Sequence, residues 1–103
     1  MSFPSLIARL PPFEGPFDAR RLAADGCEVL FAAYPPGTEI APHSHETHNV
    51  GVITKGALYL TVDGEERRYG PGEWYEVGPH VVHAARFEAE TNEIELWFAP
   101  APS

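Results

Sequence analysis

The stretch GTEIAPHSHETHNVGVITKG, residues 37–56, carries the most information about the fold of this chain. It contains three of the chain's five histidines, His43, His45 and His48, all within a span of six residues. Side chains on a β-strand point alternately to its two faces, so residues i and i+2 share a face. If the stretch is extended, His43 and His45 enter the same space, where two imidazoles can bind one divalent metal ion. A His-x-His pair in a solvated loop would neither share a face nor bind a metal ion, so the pair alone does not establish a metal site.

A third ligand has to come from elsewhere in the chain, and His83 is the candidate. It follows the turn at Gly78-Pro79, in a segment that alternates as a strand does. An antiparallel barrel could bring that strand opposite the first two histidines. Three imidazoles with open coordination positions suit Fe, Zn, Mn, Ni or Cu. We therefore expect one divalent transition metal, whose identity the sequence does not determine.

Most of the remaining chain consists of short runs typical of β-strands, separated by turns. These runs are 27–34, 49–54, 57–62, 66–69, 73–77, 81–90 and 93–99. Asp63-Gly64 between two β-rich runs predicts a type I′ hairpin turn. Residues 20–24 fit either a helical turn or a strand. Short strands at near-regular spacing, broken by eleven prolines and nine glycines, predict an all-β sandwich or barrel with little helix.

Length and composition predict a single domain over residues 1–103, with a proline- and aromatic-rich N-terminal arm at 1–17. The net charge is −8 and the cations are scattered, which argues against nucleic acid and against anionic membrane surfaces as partners. The sequence lacks an apolar run long enough for a membrane helix, and its N-terminus is a poor signal peptide. We therefore expect a cytoplasmic protein. The single cysteine, Cys27, is expected to be a small buried hydrophobic residue.

Residues 37–56 and 72–87 resemble the two sequence motifs of the cupin superfamily. The first motif is Gly, five residues, His-x-His, three or four residues, Glu, six residues, Gly, and residues 37–56 have every spacing, with Asn49 in place of Glu. The second is Gly, five residues, Pro-x-Gly, two residues, His, three residues, Asn, and residues 72–87 place His83 at the histidine. The Pro, Gly and Asn positions of that motif hold Gly78, His80 and Phe87.

The resemblance implies a single-domain cupin-like β-barrel, which is a double-stranded β-helix or jelly roll. It also implies a metal bound by His43, His45 and His83, with Asn49 at the fourth position. Asn offers only a neutral carbonyl oxygen on a shorter side chain than Glu, so His48 is an alternative fourth ligand. Strand alternation favours Asn49, because adjacent residues point to opposite faces. A neutral ligand set leaves the charge of the dication uncompensated, and we expect the metal to prefer an anionic ligand.

Apolar residues are expected beside the metal. The expected pocket wall consists of residues that share the face of His83 together with one aromatic residue of an earlier strand: Val81, Ala85, Phe87 and Tyr59. His80 lies in a turn and is expected at the pocket rim, where it could transfer protons. Glu93 and Glu95 share a face with Trp97, and solvent exposure is the expectation for both carboxylates.

Functions of different classes fit these features. The first is a metal-dependent enzyme of the dioxygenase or isomerase type, acting on a small organic molecule such as an organic acid, with unknown catalytic residues. The second is a non-catalytic cupin that binds or senses a small ligand through the same metal. A metal-free barrel used for assembly is a third, which the departure at Asn49 keeps open. Small cupins are typically dimers, and the N-terminal arm could cover a strand edge of a neighbour, so we expect a homodimer.

Overall fold

The computed structural model describes residues 3–15 and 17–100, and it consists almost entirely of β-strands. The strands are β1 (Asp18–Ala24), β2 (Cys27–Tyr34), β3 (Glu39–His43), β4 (His48–Lys55), β5 (Leu58–Val62), β6 (Glu65–Tyr69), β7 (Trp74–Val77), β8 (His83–Arg86) and β9 (Thr91–Phe98). A four-residue helix, α1 (Ser5–Ala8), precedes them. The predicted all-β barrel with little helix is confirmed.

Two antiparallel sheets enclose the interior. One sheet has the strand order β1-β2-β9-β4-β7, and the other has the order β3-β8-β5-β6. Alternate residues of each strand point inward, as period-2 geometry requires. The buried apolar residues of this core are Ala19, Leu30, Ala32, Tyr34, Ile53, Leu58, Leu60, Tyr75, Val77 and Phe87.

The hairpin between β5 and β6 has the predicted two-residue turn. Asp63 and Gly64 have φ angles of 52° and 76°, and Val62 pairs with Glu65 on either side of them. Positive φ at both central residues is the signature of a type I′ turn, whose twist matches that of the flanking strands.

The segment for which helix and strand remained open, residues 20–24, belongs to strand β1. Its edge is covered by the N-terminal arm of the same chain, because Phe13 N–H donates to Ala19 O at 2.9 Å and Arg21 N–H donates to Pro11 O at 2.8 Å. The arm thereby satisfies backbone groups that an exposed edge would leave open to another strand.

The outer face of the five-stranded sheet is unusually apolar. On β2, β4 and β9, the apolar residues that point away from the interior include Val29, Phe31, Val50, Val52, Ile94 and Leu96, all of them partly exposed. Cys27 lies on the same face and is partly buried. Among the described residues, no helix is long and apolar enough to cross a membrane.

Candidate functional site

Three histidines from separate parts of the backbone meet at one end of the barrel interior. His43 is the last residue of β3 and pairs with His83, the first residue of β8. His45 lies in the loop that follows β3, and the candidate ligand atoms of the three residues lie within 4.8 Å of one another. Strand alternation therefore does not account for His45, since the strand ends before it. A register shift between Ile40 and His43 bends β3 at this point, and the chain leaves the strand with both side chains on one side.

The backbone holds each imidazole by its Nδ1 atom. His43 Nδ1 donates to Ala41 O at 2.9 Å, and His83 Nδ1 donates to Val81 O at 2.9 Å. His45 Nδ1 lies 3.0 Å from the carbonyl oxygen of Thr47. Because a carbonyl can only accept, this arrangement puts the proton on Nδ1 of His43 and His83 and leaves the lone pair of each Nε2 free for a metal. His45 Nδ1 also lies 3.0 Å from Thr47 Oγ1, a hydroxyl oxygen that can accept from the same protonated Nδ1.

Burial favours the neutral imidazole that a metal requires. Burial lowers the pKa of His83, and the neighbouring His43 and His45 lower it further, while the hydrogen bond to Val81 opposes them. His45 Nε2 is buried and has no hydrogen-bond partner among the described residues. A buried acceptor without a donor is destabilising unless something else binds it, and a cation would do so.

Strand β4 separates the two candidates for the fourth ligand. Asn49 points inward and lines the same cavity as His43 and His83, and its Oδ1 is buried without a hydrogen-bond partner among the described residues. His48 points to the outer face, where its Nε2 contacts the Glu76 carboxylate. A carbonyl oxygen and three imidazole nitrogens are donors that a divalent transition metal accepts, so the residues present fit such an ion.

A cavity of about 610 Å³ extends from the histidines into the barrel. Of the predicted wall residues, Ala85 and Phe87 line it. Val81 packs against the hydrophobic core instead. Tyr59 lies on the opposite face of its strand, with its ring centre 4.2 Å from the Arg86 guanidinium carbon.

The turn that contains His80 touches the cluster through its backbone. His80 is exposed, has a φ of 64°, and donates its N–H to His45 O at 2.7 Å. Its imidazole does not line the cavity described above. The contact therefore positions the His45 loop through a main-chain group.

Glu93 and Glu95 are buried, each only 2% exposed, so the expectation that they face solvent is wrong. Strand β9 lies between β2 and β4, and its residues Glu93, Glu95 and Trp97 line the cavity. Glu95 accepts hydrogen bonds from Tyr34 Oη at 2.6 Å and from Trp97 Nε1 at 3.1 Å. Glu93 accepts one from Tyr75 Oη at 2.8 Å. The interior thus contains two carboxyl groups that the motifs did not reveal.

The two carboxyl groups interact with each other. Burial raises the pKa of Glu93 well above its ordinary value, and the charge of Glu95 and a hydrogen bond with it raise that pKa further, against the effect of Tyr75. Glu93 Oε2 has no other hydrogen-bond partner among the described residues. A proton shared with Glu95 would give this oxygen a partner. Burial, followed by the two carboxylates, raises the pKa of Tyr34 as well, so its hydroxyl remains a donor. Burial and the neighbouring Glu95 therefore both favour the protonated form of Glu93.

Packed aromatic rings fix the two tyrosines. The Tyr34 ring stacks on Phe87 with centres 4.2 Å apart and lies 5.3 Å from the ring of Phe17. Tyr75 can approach β4 only because residue 51 is glycine, since a Cβ there would lie 2.5 Å from the Tyr75 ring and hydroxyl. Glycine at this position therefore makes room for the tyrosine that binds Glu93.

The carboxyl pair and its two tyrosines are the candidate functional residues that sequence reasoning missed. The available signal was the alternation along β9. Glu93, Glu95 and Trp97 share one face of the strand, and the residues between them form an apolar face. An acidic inward face can be recognised only after the outer face of the sheet is known to be apolar.

Comparisons with known proteins agree with this architecture. Residues 30–98 match the family described as Cupin domain. The H2HPP isomerase of Bacillus subtilis is 34% identical over 70 residues, which are 67% of this chain and 30% of that protein. The RmlC-like cupin from Shewanella frigidimarina has a TM-score of 0.78 at 22% identity, over 100% of this chain and 92% of that chain. KdgF from Halomonas sp. has a TM-score of 0.74 at 24% identity, over 82% of this chain and 80% of that chain.

Proposed function

The chain belongs to the cupin family, and on that premise we propose that it is a metal-dependent isomerase acting on a small carbonyl compound. One observation carries the proposal: three imidazoles, each with Nε2 free, meet at the end of a cavity large enough for a small organic molecule. The isomerase named above supports the reaction type, although this chain spans only 30% of its length.

The residues that would hold the ion are His43, His45 and His83, with the side-chain oxygen of Asn49 beside them. The ion would supply Lewis-acid polarisation of a substrate oxygen. All four protein ligands are neutral, so an anionic substrate oxygen would supply a charge that the ligand set itself lacks. A carboxylate or an enolate oxygen is the chemistry that fits.

The rest of the cavity wall is largely apolar, which favours a substrate with an apolar side chain. Its wall includes Leu58, Leu60, Val77 and Phe87, and its volume is about 610 Å³. Apolar walls with a few convergent polar groups are typical of small-molecule sites. We therefore propose a 2-oxo acid with an apolar side chain as the substrate class.

The proposed function can be tested with 4-methyl-2-oxopentanoate and protein prepared without a His-tag. Metal content is measured by inductively coupled plasma mass spectrometry, and exchange of the C3 protons in D₂O is followed by ¹H NMR. We expect exchange that stops after chelation and returns after metal addition. Stoichiometric oxygen uptake at an electrode would instead identify a dioxygenase. Calorimetric binding without exchange would identify a non-catalytic binding or sensing protein.

Preference for anionic ligands has a test of its own. A small carboxylate and its matching amide, isobutyrate and isobutyramide, are compared as inhibitors. The carboxylate should bind more tightly by tenfold or more, because it alone compensates the charge of the ion. Equal inhibition would contradict the charge argument and leave the metal site intact.

We further propose that the protein forms a homodimer through the outer face of the five-stranded sheet. This face carries Trp74, which is 60% exposed, as well as exposed Leu22 and Phe98. A contiguous apolar patch of this kind is typical of a protein–protein contact. Analytical ultracentrifugation should show a dimer at micromolar concentration, and Trp74→Lys should shift it toward monomer. A wild-type monomer would contradict this proposal.

A further inference from the structure

The buried carboxyl pair has no evident role in holding the barrel together. Two carboxyl groups in an apolar interior destabilise a fold, because burial disfavours charge and like charges repel. Glu93 and Glu95 are nevertheless both surrounded by aligned donors, Tyr34, Tyr75 and Trp97. Groups arranged in this way are typical of sites where a proton has to move.

The pair lies close to the histidine cluster. The Trp97 indole connects the two, because its ring centre is 4.8 Å from that of His45 and its Nε1 is 3.1 Å from Glu95 Oε1. Both glutamates line the same cavity as His43 and His83. A substrate of a few carbon atoms can therefore reach from one group to the other.

We propose that Glu93 and Glu95 are the proton-transfer centre of this cavity, acting on a C–H bond adjacent to the carbonyl group of a substrate whose oxygen lies at the histidine cluster. The inference rests on the proposed function and deepens it by naming the catalytic residues. Tyr34, Tyr75 and Trp97 are positioning residues, since each donates to a carboxyl oxygen and orients it.

The proposed step is balanced in atoms and electrons. An ionised carboxylate of the pair takes a proton from the substrate carbon, the C–H bond breaks, and its electron pair moves into the C=C bond of an enolate. The proton held by the other carboxyl group then forms a C–H bond at the same carbon or, where a C=C bond of the substrate is conjugated with the enolate, at the far carbon of that bond, and the carbonyl is restored. One proton is accepted and one is donated, so the pair still holds a single proton, now on the other carboxyl group, and its transfer back between the two carboxyl groups restores the starting state without an oxidant or reductant.

The hydrogen bonds suggest how the two carboxyl groups divide this work. Glu95 receives two donors, Tyr34 and Trp97, which suits the ionised acceptor. Glu93 receives only Tyr75, and its second oxygen is buried without another partner among the described residues. Glu95 is thus the base in the resting state, and Glu93 holds the proton.

The test uses isosteric variants of the metal-loaded protein. Glu93→Gln and Glu95→Gln are compared with wild type for exchange of the C3 protons of 4-methyl-2-oxopentanoate in D₂O, and Glu88→Gln, an exposed glutamate, is the matched control. We expect each interior variant to lose about 100-fold or more in exchange rate while it retains its metal. The surface control should exchange at the wild-type rate.

The outcomes separate this inference from the proposed function. Exchange that persists in both interior variants but disappears in His83→Ala overturns only the role of the carboxyl pair. A metal-loaded wild-type protein without exchange overturns both. Circular dichroism and metal content establish that a slow variant is folded and loaded, and Tyr75→Phe, which keeps both carboxyls, should lose less than either Gln variant.

A second readout does not depend on turnover. Infrared spectra of the wild-type protein at neutral pH should show the carbonyl band of a buried protonated carboxyl, and Glu93→Gln should lack it. Absence of that band from the wild type would overturn the single shared proton on which the step depends.

Discussion

The histidine cluster and the carboxyl pair line the same cavity, but the chain supports them in different ways. The Nδ1 atoms of His43, His45 and His83 each bind a carbonyl only two residues away. Glu93 and Glu95 are held by tyrosines 18 and 61 residues away in the sequence. One centre is therefore oriented by its own backbone, and the other depends on the packing of several strands.

This difference has a mechanical consequence. A change in the core should disturb the carboxyl pair more than the histidines, because only the pair depends on side chains from β2 and β7. Changes at the histidines should in turn affect metal binding with little loss of stability. The predictions below test this separation, from the largest expected effect to the smallest.

Replacing a histidine ligand should have the largest effect. His83→Ala is expected to weaken metal binding by about 100-fold or more, because it removes one of three imidazole donors. The measurement is a competition titration with a metal-binding dye. His48→Ala is the matched control and should bind metal as the wild type does, since His48 lies on the outer face against Glu76. Equal losses in both variants would restore His48 as a ligand.

A side chain that crowds Tyr75 should disturb the carboxyl pair and leave the histidine cluster unchanged. Gly51→Ala would place a Cβ about 2.5 Å from the Tyr75 ring, and the tyrosine would have to move away from Glu93. We expect the free energy of unfolding to fall by about 2 kcal/mol, measured by urea denaturation. Metal affinity should change little.

A second glycine provides the control for this substitution. A Cβ at Gly78 would meet only Val81 at 3.7 Å, an ordinary contact, so Gly78→Ala should be nearly neutral. A Gly51→Ala protein with wild-type stability but weakened metal binding would contradict the conclusion that core packing supports the carboxyl pair more than the histidine cluster.

The proton on Glu93 should make stability depend on pH. The unfolded chain releases this proton near the ordinary pKa of 4.5, whereas the folded protein retains it to higher pH because burial and Glu95 raise the pKa. The folded state then binds more protons than the unfolded state, so the free energy of unfolding decreases as pH rises above about 4.5. The slope is at most about 1.4 kcal/mol per pH unit.

Glu93→Gln isolates this contribution. The variant should lack the corresponding slope when urea denaturation is compared between pH 5 and 8. Tyr34 and Tyr75, which face the pair from β2 and β7, remain protonated over that range, because burial raises the pKa of each. Parallel pH profiles for the two proteins would show that Glu93 is ionised in the folded state.

The smallest effect is expected at the turn beside the histidines. His80 has a φ of 64°, a conformation that costs a residue with a Cβ about 1 kcal/mol and glycine almost nothing. His80→Gly should therefore raise the free energy of unfolding by about 0.5–1 kcal/mol in thermal or chemical denaturation. It keeps the N–H that binds His45 O. A large loss of proton exchange in this variant would instead assign the His80 imidazole a role in proton transfer.

The sequence was sufficient for the features that depend on local chemistry. The positive φ angles at Asp63 and Gly64 follow from the hairpin signal, and the histidine spacing identified residues that do come together. Strand alternation was predicted to bring His45 to the same side as His43. In the structure β3 ends at His43, and His45 reaches the cluster from the loop that follows.

Strand β9 shows why the remainder could not be predicted. In EIELWF, residues 93–98, the apolar set Ile94, Leu96 and Phe98 alternates with Glu93, Glu95 and Trp97. Burial of the apolar set is the ordinary expectation, and the structure has the opposite arrangement. The inward-pointing carboxyl groups are hydrogen-bonded by tyrosines that lie far away in the sequence, and pair interactions over such separations leave no local pattern.

Trp97 has a consequence for how the protein can be observed. Its indole touches His45 on one side and Glu95 on the other, and the chain's second tryptophan, Trp74, lies on the outer surface. A Trp74→Phe protein would retain a single tryptophan, which lies between the two centres. Its emission would respond to quenching by a bound paramagnetic ion and to ionisation of the neighbouring acid, so one optical signal would report the state of both.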